Sequence, residues 1–268
     1  MIIAYNSLKN IKIEIAVFQM IYLCIFNFTT ITTADEIVLS ADEWCPYNCN
    51  PLDENRGFLM DVAEFSLARK GHTIKYVQVP WQRAIRQVMA NQYQGLVGPA
   101  KADAPELIYP KNHLHVVHNI FYVLNESDWK YTGIKSLESL NLGVTSNYYY
   151  GDAINAYIEI NKNNKSRVTI ISDDTAVNRL TSLLKRNRID AFIGVRGVVQ
   201  HYHDNQIESL SIKEAGEGLS QEVYIGFSPN NPNSQAYADA LDEGMTKLRK
   251  TGELQQLYKK YKIEKKSK

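Results

Sequence analysis

Cys45 and Cys49 bracket Pro46-Tyr47-Asn48 and directly follow Trp44. Thiols this close can form a disulfide, exchange electrons or supply two metal ligands. Redox exchange calls for C-x-x-C at a helix start, whereas this pair is C-x-x-x-C in a loop. Zinc needs two further ligands, and the one other cysteine, Cys24, lies far upstream. In an exported protein an isolated close pair favours the disulfide, so Cys45 and Cys49 are expected to be bonded to each other.

The aromatic residues of the same loop offer a second kind of chemistry. Trp44 and Tyr47 present planar faces on which an apolar or flat part of a solute could stack. Packing on the disulfide and shielding the core is the competing use. Trp81 falls on the apolar face of a helix, which favours core packing. Arg83 lies off that face and near the helix start, where a cation is unfavourable, so it is a candidate anion contact as well as a plain surface arginine. His113, His115 and His118 lie close together, and His201 and His203 form a separate pair. A metal site needs three or four converging ligands, so these read as incidental histidines and no metal is expected. G-x-S-x-G, H-E-x-x-H and a phosphate-cradling glycine loop are all missing, and neither a cofactor nor a nucleophile–base set is expected.

The elements that must position these residues alternate between strand and helix patterns. Ile37-Val38-Leu39-Ser40 is strand-like and leads into the cysteine loop, and Gly57-Phe58-Leu59-Met60-Asp61 opens an amphipathic helix. Thr73 to Val77 is a strand. Trp81, Ala84, Ile85, Val88 and Met89 follow the i, i+3, i+4, i+7, i+8 spacing of one helix face, with Pro80 in its first turn. Gly95 to Gly98 is a short buried strand, and His115 to Leu124 is extended. A second unit begins near 127–132. It places strands at 142–144, 168–171 and 188–193, a helix at 151–160, and another with Val177, Leu180, Leu183 and Leu184 on its buried face, capped by Asp173 or Asp174. Glu222 to Phe227 is extended, and Asn231 to Ser234 starts a final helical pair. This alternation predicts an α/β protein with mostly parallel sheets flanked by helices. An aromatic loop between a strand and its helix is a usual place for a ligand site in such a fold.

The chain has 268 residues, 44% hydrophobic and 22% charged, enough for one large domain or two small lobes. Lys9, Lys12, the apolar run Ile15 to Phe28 and the small residues Thr32-Thr33-Ala34 predict a secretory signal over residues 1–34. Cys24 would leave with it. The rival is an uncleaved membrane anchor, for which the run is short. Lys9, Lys12 and Glu14 together account for the formal net charge of +1, so the remainder is neutral and no nucleic acid is expected as partner. The basic end, Lys259 to Lys268, reads as a solvated helix end with a tail.

Several elements stand in a family order: Trp44-x-Pro46-Tyr47, Gly57-Phe58-x-x-Asp61, Pro80-Trp81-Gln82-Arg83-Ala84, Tyr93-Gln94-Gly95, Leu142-Gly143-Val144, Asn187-Arg188-Ile189-Asp190-Ala191 and Tyr224-Ile225-Gly226-Phe227-Ser228. In this order the chain resembles the bacterial periplasmic solute-binding proteins of the polar amino-acid class, receptors of ABC importers (extracellular solute-binding protein family three). The resemblance covers about Glu36 to Tyr261. It implies a two-lobed periplasmic-binding-protein type II fold. Lobe one would comprise residues 35–125 and 223–268, and lobe two residues 126–222, with the ligand in the cleft between them and helix N-termini aimed at an anionic group.

The resemblance also locates candidate contacts. Family members carry an arginine for the ligand carboxylate after the third strand. Here that stretch is Gly98 to Pro105, where Lys101 is the available cation, acting as a point charge. The aspartate for the ligand ammonium is replaced by Val195, with Arg196 next to it. Both departures weaken an amino-acid assignment. The loop Thr145 to Gly151 suits the second wall, with Tyr148 or Tyr149 facing the ligand. The candidate ligand-binding set is therefore Trp44, Tyr47, Trp81, Arg83, Lys101, Tyr148, Tyr149 and Arg196. The function implied is a monomeric periplasmic receptor that captures a small polar solute and delivers it to the membrane permease of an ABC transporter or to a sensor. The alternatives are a dehydratase-like cleft enzyme acting on a small anionic metabolite, and a sensory module with no transporter.

Overall fold

The computed structural model describes residues 34–172, 176–206 and 211–263. Residues 1–33 of the expected signal segment, the capping aspartates 173 and 174 and the last five residues of the basic tail lie outside them.

The chain runs β1 (Glu36–Ala41), α1 (Phe58–Ala68), β2 (Thr73–Gln78), α2 (Trp81–Met89), β3 (Gly95–Val97) and β4 (His115–Leu124). After a 3-10 turn at Ile134–Ser139 come β5 (Leu142–Thr145), α3 (Asp152–Asn161), β6 (Val168–Ile171), α4 (Ala176–Lys185), β7 (Ala191–Val195) and α5 (Arg196–Asp204). The chain returns through β8 (Ile212–Val223) and β9 (Ile225–Phe227) to α6 (Ser234–Thr251) and α7 (Glu253–Lys260).

These elements build two sheets, in the orders β2-β1-β3-β9 and β6-β5-β7-β4-β8. Each is mixed. Strands β2, β1 and β3 run parallel and β9 closes the first sheet antiparallel. In the second sheet β6, β5 and β7 run parallel, while β4 and β8 are antiparallel additions. Parallel neighbours follow from the crossover helices; the antiparallel strands are the ones by which the chain leaves the first sheet and comes back.

Each sheet has its own core. Ile37, Leu39, Phe58, Leu59, Leu67, Leu241 and Met245 are fully buried against the first sheet. The second sheet is covered on both faces, which explains the unbroken apolar runs in β4 and β7. Phe121 and Val123 point to one side with Leu142 and Ile193, and Ile120 and Tyr122 point to the other with Leu180 and Phe192. Each such side chain contributes roughly 1.5–3 kcal/mol by burial. Strand β4 joins the two cores: Val117 packs in the first and Ile120 in the second, and its pairing with β8 is irregular between His118 and Ile120.

The predicted face of α2 is present. Ala84 and Val88 are buried, while Trp81, Ile85 and Met89 pack at their edges. Pro80 stands at the N-cap position, one residue ahead of the first turn. Strand β8 begins ten residues before the extended run expected at Glu222. Its sequence, Ile-Lys-Glu-Ala-Gly-Glu-Gly-Leu-Ser-Gln-Glu-Val, is largely exposed along an edge of the sheet, so it lacks the apolar alternation that marks an inner strand.

Candidate functional site

The carboxyl ends of β1, β3, β5 and β7 all open on one cavity of ≈ 50 Å³ between the two sheets. From the first-sheet half it receives Asp42 and Trp44 after β1, Trp81 at the start of α2, and Gly98, Ala100 and Asp103 after β3. Tyr148 and Tyr149 after β5, and Val195 at the end of β7, close it from the second. The crossing strands β4 and β8 supply Val117, Asn119, Gln221 and Val223. Strand ends are where an α/β sheet can present side chains without breaking its ladder, which is why the loops carry the site.

The loop after β1 is tied down by its own bonds. Cys45 and Cys49 are joined by a disulfide, with their Cα atoms 4.4 Å apart. Trp44 N donates to Asn48 O at 2.8 Å, and Asn48 Nδ2 donates to Asp42 O at 2.7 Å. Phe58 N and Leu59 N, the first donors of α1, bond to Pro46 O and Tyr47 O at 2.9 and 2.8 Å. The first two amides of α1 therefore hold the cysteine loop. Gly57 adopts φ 115°, and a Cβ on it would stand 2.4 Å from Tyr47 O, so the loop can lie this close only over glycine.

Several polar groups around the cavity are bonded to one another or to the wall. Tyr148 Oη donates to Asp42 Oδ2 at 2.6 Å, linking the two halves. Burial, reinforced by that carboxylate, pushes the Tyr148 phenol well above its usual pKa, so it keeps its proton. Tyr149 Oη donates to Asp152 Oδ1 at 2.8 Å. Asn119 Nδ2 donates to Leu219 O and to Gln221 Oε1. Asp103 accepts from Ala100 N at 2.8 Å, and burial raises its carboxyl to about 6. A second cavity of ≈ 220 Å³ shares Asp42, Trp44, Asn119, Tyr148 and Val195 with the first, so the Asp42–Tyr148 bond stands in the wall between them.

Of the residues singled out from sequence, the cavity brings together Trp44, Trp81, Tyr148 and Tyr149. It does not include the other four. Tyr47 is buried in the first core, its ring 4.7 Å from Trp44 and 5.4 Å from His115. Its hydroxyl meets the second half at Gly197, where an added Cβ would lie 2.4 Å away. Arg83 is exposed on α2. Lys101 is exposed too, with Nζ 4.8 Å from the centre of the Tyr224 ring. Arg196 donates through Nε and Nη2 to Glu214 at 2.8 Å and through Nη2 to Glu217 at 3.2 Å, so the flanking strand holds its charge. The histidines are dispersed: His113 pairs with Glu222, His118 with Ser220, and His115 is buried beside Tyr258. Among the described residues no group of three or more His, Cys, Asp or Glu could hold a metal ion.

Sequence reasoning missed Asp42, Asp103, Asn119 and Gln221. Asp42 had a signal in its place just past the end of the first strand. Asn119 had one too, as an amide inside the apolar run Val116 to Leu124. Asp103 sits among Lys, Ala, Pro and Glu, where nothing sets a buried carboxylate apart from a surface one.

A model of the bacterial extracellular solute-binding proteins, family 3, matches residues 37–264. The chain belongs to that family. No curated protein matches its sequence. Among solved structures, a mutant of ArgBP from T. maritima aligns with a TM-score of 0.66 at 16% identity, over 86% of this chain and 96% of that one. The amino acid ABC transporter substrate-binding protein AbpA from Streptococcus pneumoniae, bound to L-arginine, gives 0.65 at 14%, over 87% and 97%. A histidine kinase sensor domain with similarity to periplasmic binding proteins gives 0.66 at 14%, over 84% and 95%. At such identities the likeness is one of fold, and the fold of this solute-binding protein is the type II periplasmic-binding-protein fold. Family membership makes it a ligand-binding protein rather than an enzyme.

Proposed function

We propose that this chain is an exported receptor that takes a small solute into the cavity between its two halves and hands it to the permease of an ABC importer. One observation carries the reading: the cavity is walled by strand-end loops of both sheets, with Asp42 and Trp44 on one side facing Tyr148 and Tyr149 on the other. A site divided in this way is complete only when the halves are together, so a bound solute favours the closed form. Residues 35–125 and 223–268 would move as one lobe and 126–222 as the other, bending where β4 and β8 cross. The segment 1–34 would direct export to the periplasm, where the protein acts as a monomer.

Thermal-shift screening of the purified protein against amino acids, amines and small acids tests the receptor. A stabilising solute that also compacts the protein in small-angle scattering is the expected result, and stabilisation by none counts against it. Transport of that solute by the cognate permease, lost on deletion of this chain, tests delivery. The histidine kinase sensor domain among the structural neighbours favours a second reading, a receptor that reports to a sensor. Loss of a transcriptional response with uptake intact would select it.

A further inference from the structure

The charge of the cavity assigns its ligand a chemical class. Among the described residues, the ionised groups that line it are the carboxylates of Asp42 and Asp103, and neither lysine nor arginine contributes. Among the described residues the neighbouring chamber adds Glu43 and again neither lysine nor arginine. Both tyrosine hydroxyls spend their protons on carboxylates, leaving lone pairs for a solute. Asn119 uses its amide N–H groups within the wall, leaving its carbonyl oxygen as an acceptor. Around these acceptors stand the rings of Trp44, Trp81, Tyr148 and Tyr149, with the Trp81 and Tyr148 centroids 6.5 Å apart. Aromatic faces attract a cation and do nothing comparable for an anion. A zwitterion would bring a carboxylate in beside those of Asp42 and Asp103, with no lysine or arginine among the described lining residues to pair with it, and an unpaired buried charge is strongly unfavourable.

We infer that the solute is a small organic cation, an amine or guanidine without a carboxylate, held by Asp42 and Asp103 within the aromatic wall. The inference rests on the receptor reading and narrows it. The ≈ 50 Å³ of the first cavity admits a compact cation. A longer diamine reaches the second chamber only where the Asp42–Tyr148 bond gives way.

Isothermal titration of the full chain with matched pairs that differ by one carboxylate is the direct test. Ethanolamine against serine, putrescine against ornithine, and agmatine against arginine serve as probes. At least one amine is expected to bind tenfold or more tighter than its amino acid, and Asp103→Asn to weaken that amine about tenfold. Asp42→Asn should weaken it similarly. Affinity should also fall as the pH drops through about 6, where the Asp103 carboxyl takes up its proton. Tighter binding of the amino acids, or of succinate, overturns the cation and leaves the receptor intact. Failure of every amine, amino acid and acid to bind overturns the receptor, and the cation with it.

Discussion

Tyr148 and Asp42 meet across the cleft, the phenol donating to Oδ2 of the carboxylate at 2.6 Å. This bond joins the loop after β1 to the loop after β5, so it would be lost if the two halves moved apart. A hydrogen bond to a charged group is worth about 1.5–3 kcal/mol net. Tyr148→Phe keeps the ring against Trp81 and removes the bond. The expected result is a more open ligand-free protein, seen as a larger radius of gyration in solution scattering. An unchanged radius would mean that the bond does not hold the halves.

A second contact across the cleft is steric. Tyr47 is 2% exposed and cannot swing aside, and a methyl on Gly197 would come within 2.4 Å of its hydroxyl. Gly197→Ala is expected to hold the halves apart and weaken ligand binding about tenfold or more. Tyr47→Phe removes the clashing oxygen, so the double variant should regain part of the loss. Strict additivity in this cycle, measured by titration calorimetry, would show that the two residues do not act on each other.

His115 gives a pH prediction with a definite sign. Burial lowers it from 6.5 to about 4, aided by His118 and His113. Between those values the unfolded chain binds a proton that the folded protein refuses, so stability is present above pH 6.5 and is lost as the pH falls toward 4. The loss is of order 1–3 kcal/mol. His115→Phe should flatten this part of the profile in urea unfolding at pH 7 and pH 4.5, and an equally steep fall would assign it to other groups.

The disulfide closes a loop with a sequence separation of 4. So short a loop gives an entropic stabilisation of about 1–2 kcal/mol. The larger effect should fall on the site, because the loop also carries Trp44. Cys45→Ser with Cys49→Ser is expected to lower the melting temperature by a few degrees and to weaken ligand binding more than that loss explains.

The cations first suspected from sequence should matter little. Arg83→Ala and Lys101→Ala remove exposed side chains, and Arg196→Ala breaks pairs with Glu214 and Glu217. Each is expected to leave ligand affinity within about twofold. A tenfold loss in any of the three would bring that residue back into the site.

Much of the fold was legible because burial imposes a period. Trp81, Ala84, Ile85, Val88 and Met89 could hardly be anything but one helix face, and His115 to Leu124 read as an extended stretch. The early part of β8 was hidden because an edge strand gains its place from hydrogen bonds to β4 rather than from apolar side chains. At the site, aromatic residues were easier to find than charges. Trp44 and Tyr148 stand out by type, while the burial of Asp42 and its bond to the distant Tyr148 leave no mark in the sequence around it. Arg196 shows the converse: a cation beside a strand end looks available until Glu214 and Glu217, far along the chain, are brought to it.

Strands β4 and β8 have one more consequence. They lie side by side, and everything from β5 to α5 is threaded between them. The second sheet thus leaves and re-enters the first through a single doorway, as an inserted cassette. A recombination event with both breakpoints in these neighbouring strands would exchange Tyr148, Tyr149 and Val195 in one step, leaving Asp42, Trp44 and the disulfide untouched. Half of the cavity wall can therefore be inherited separately from the other half.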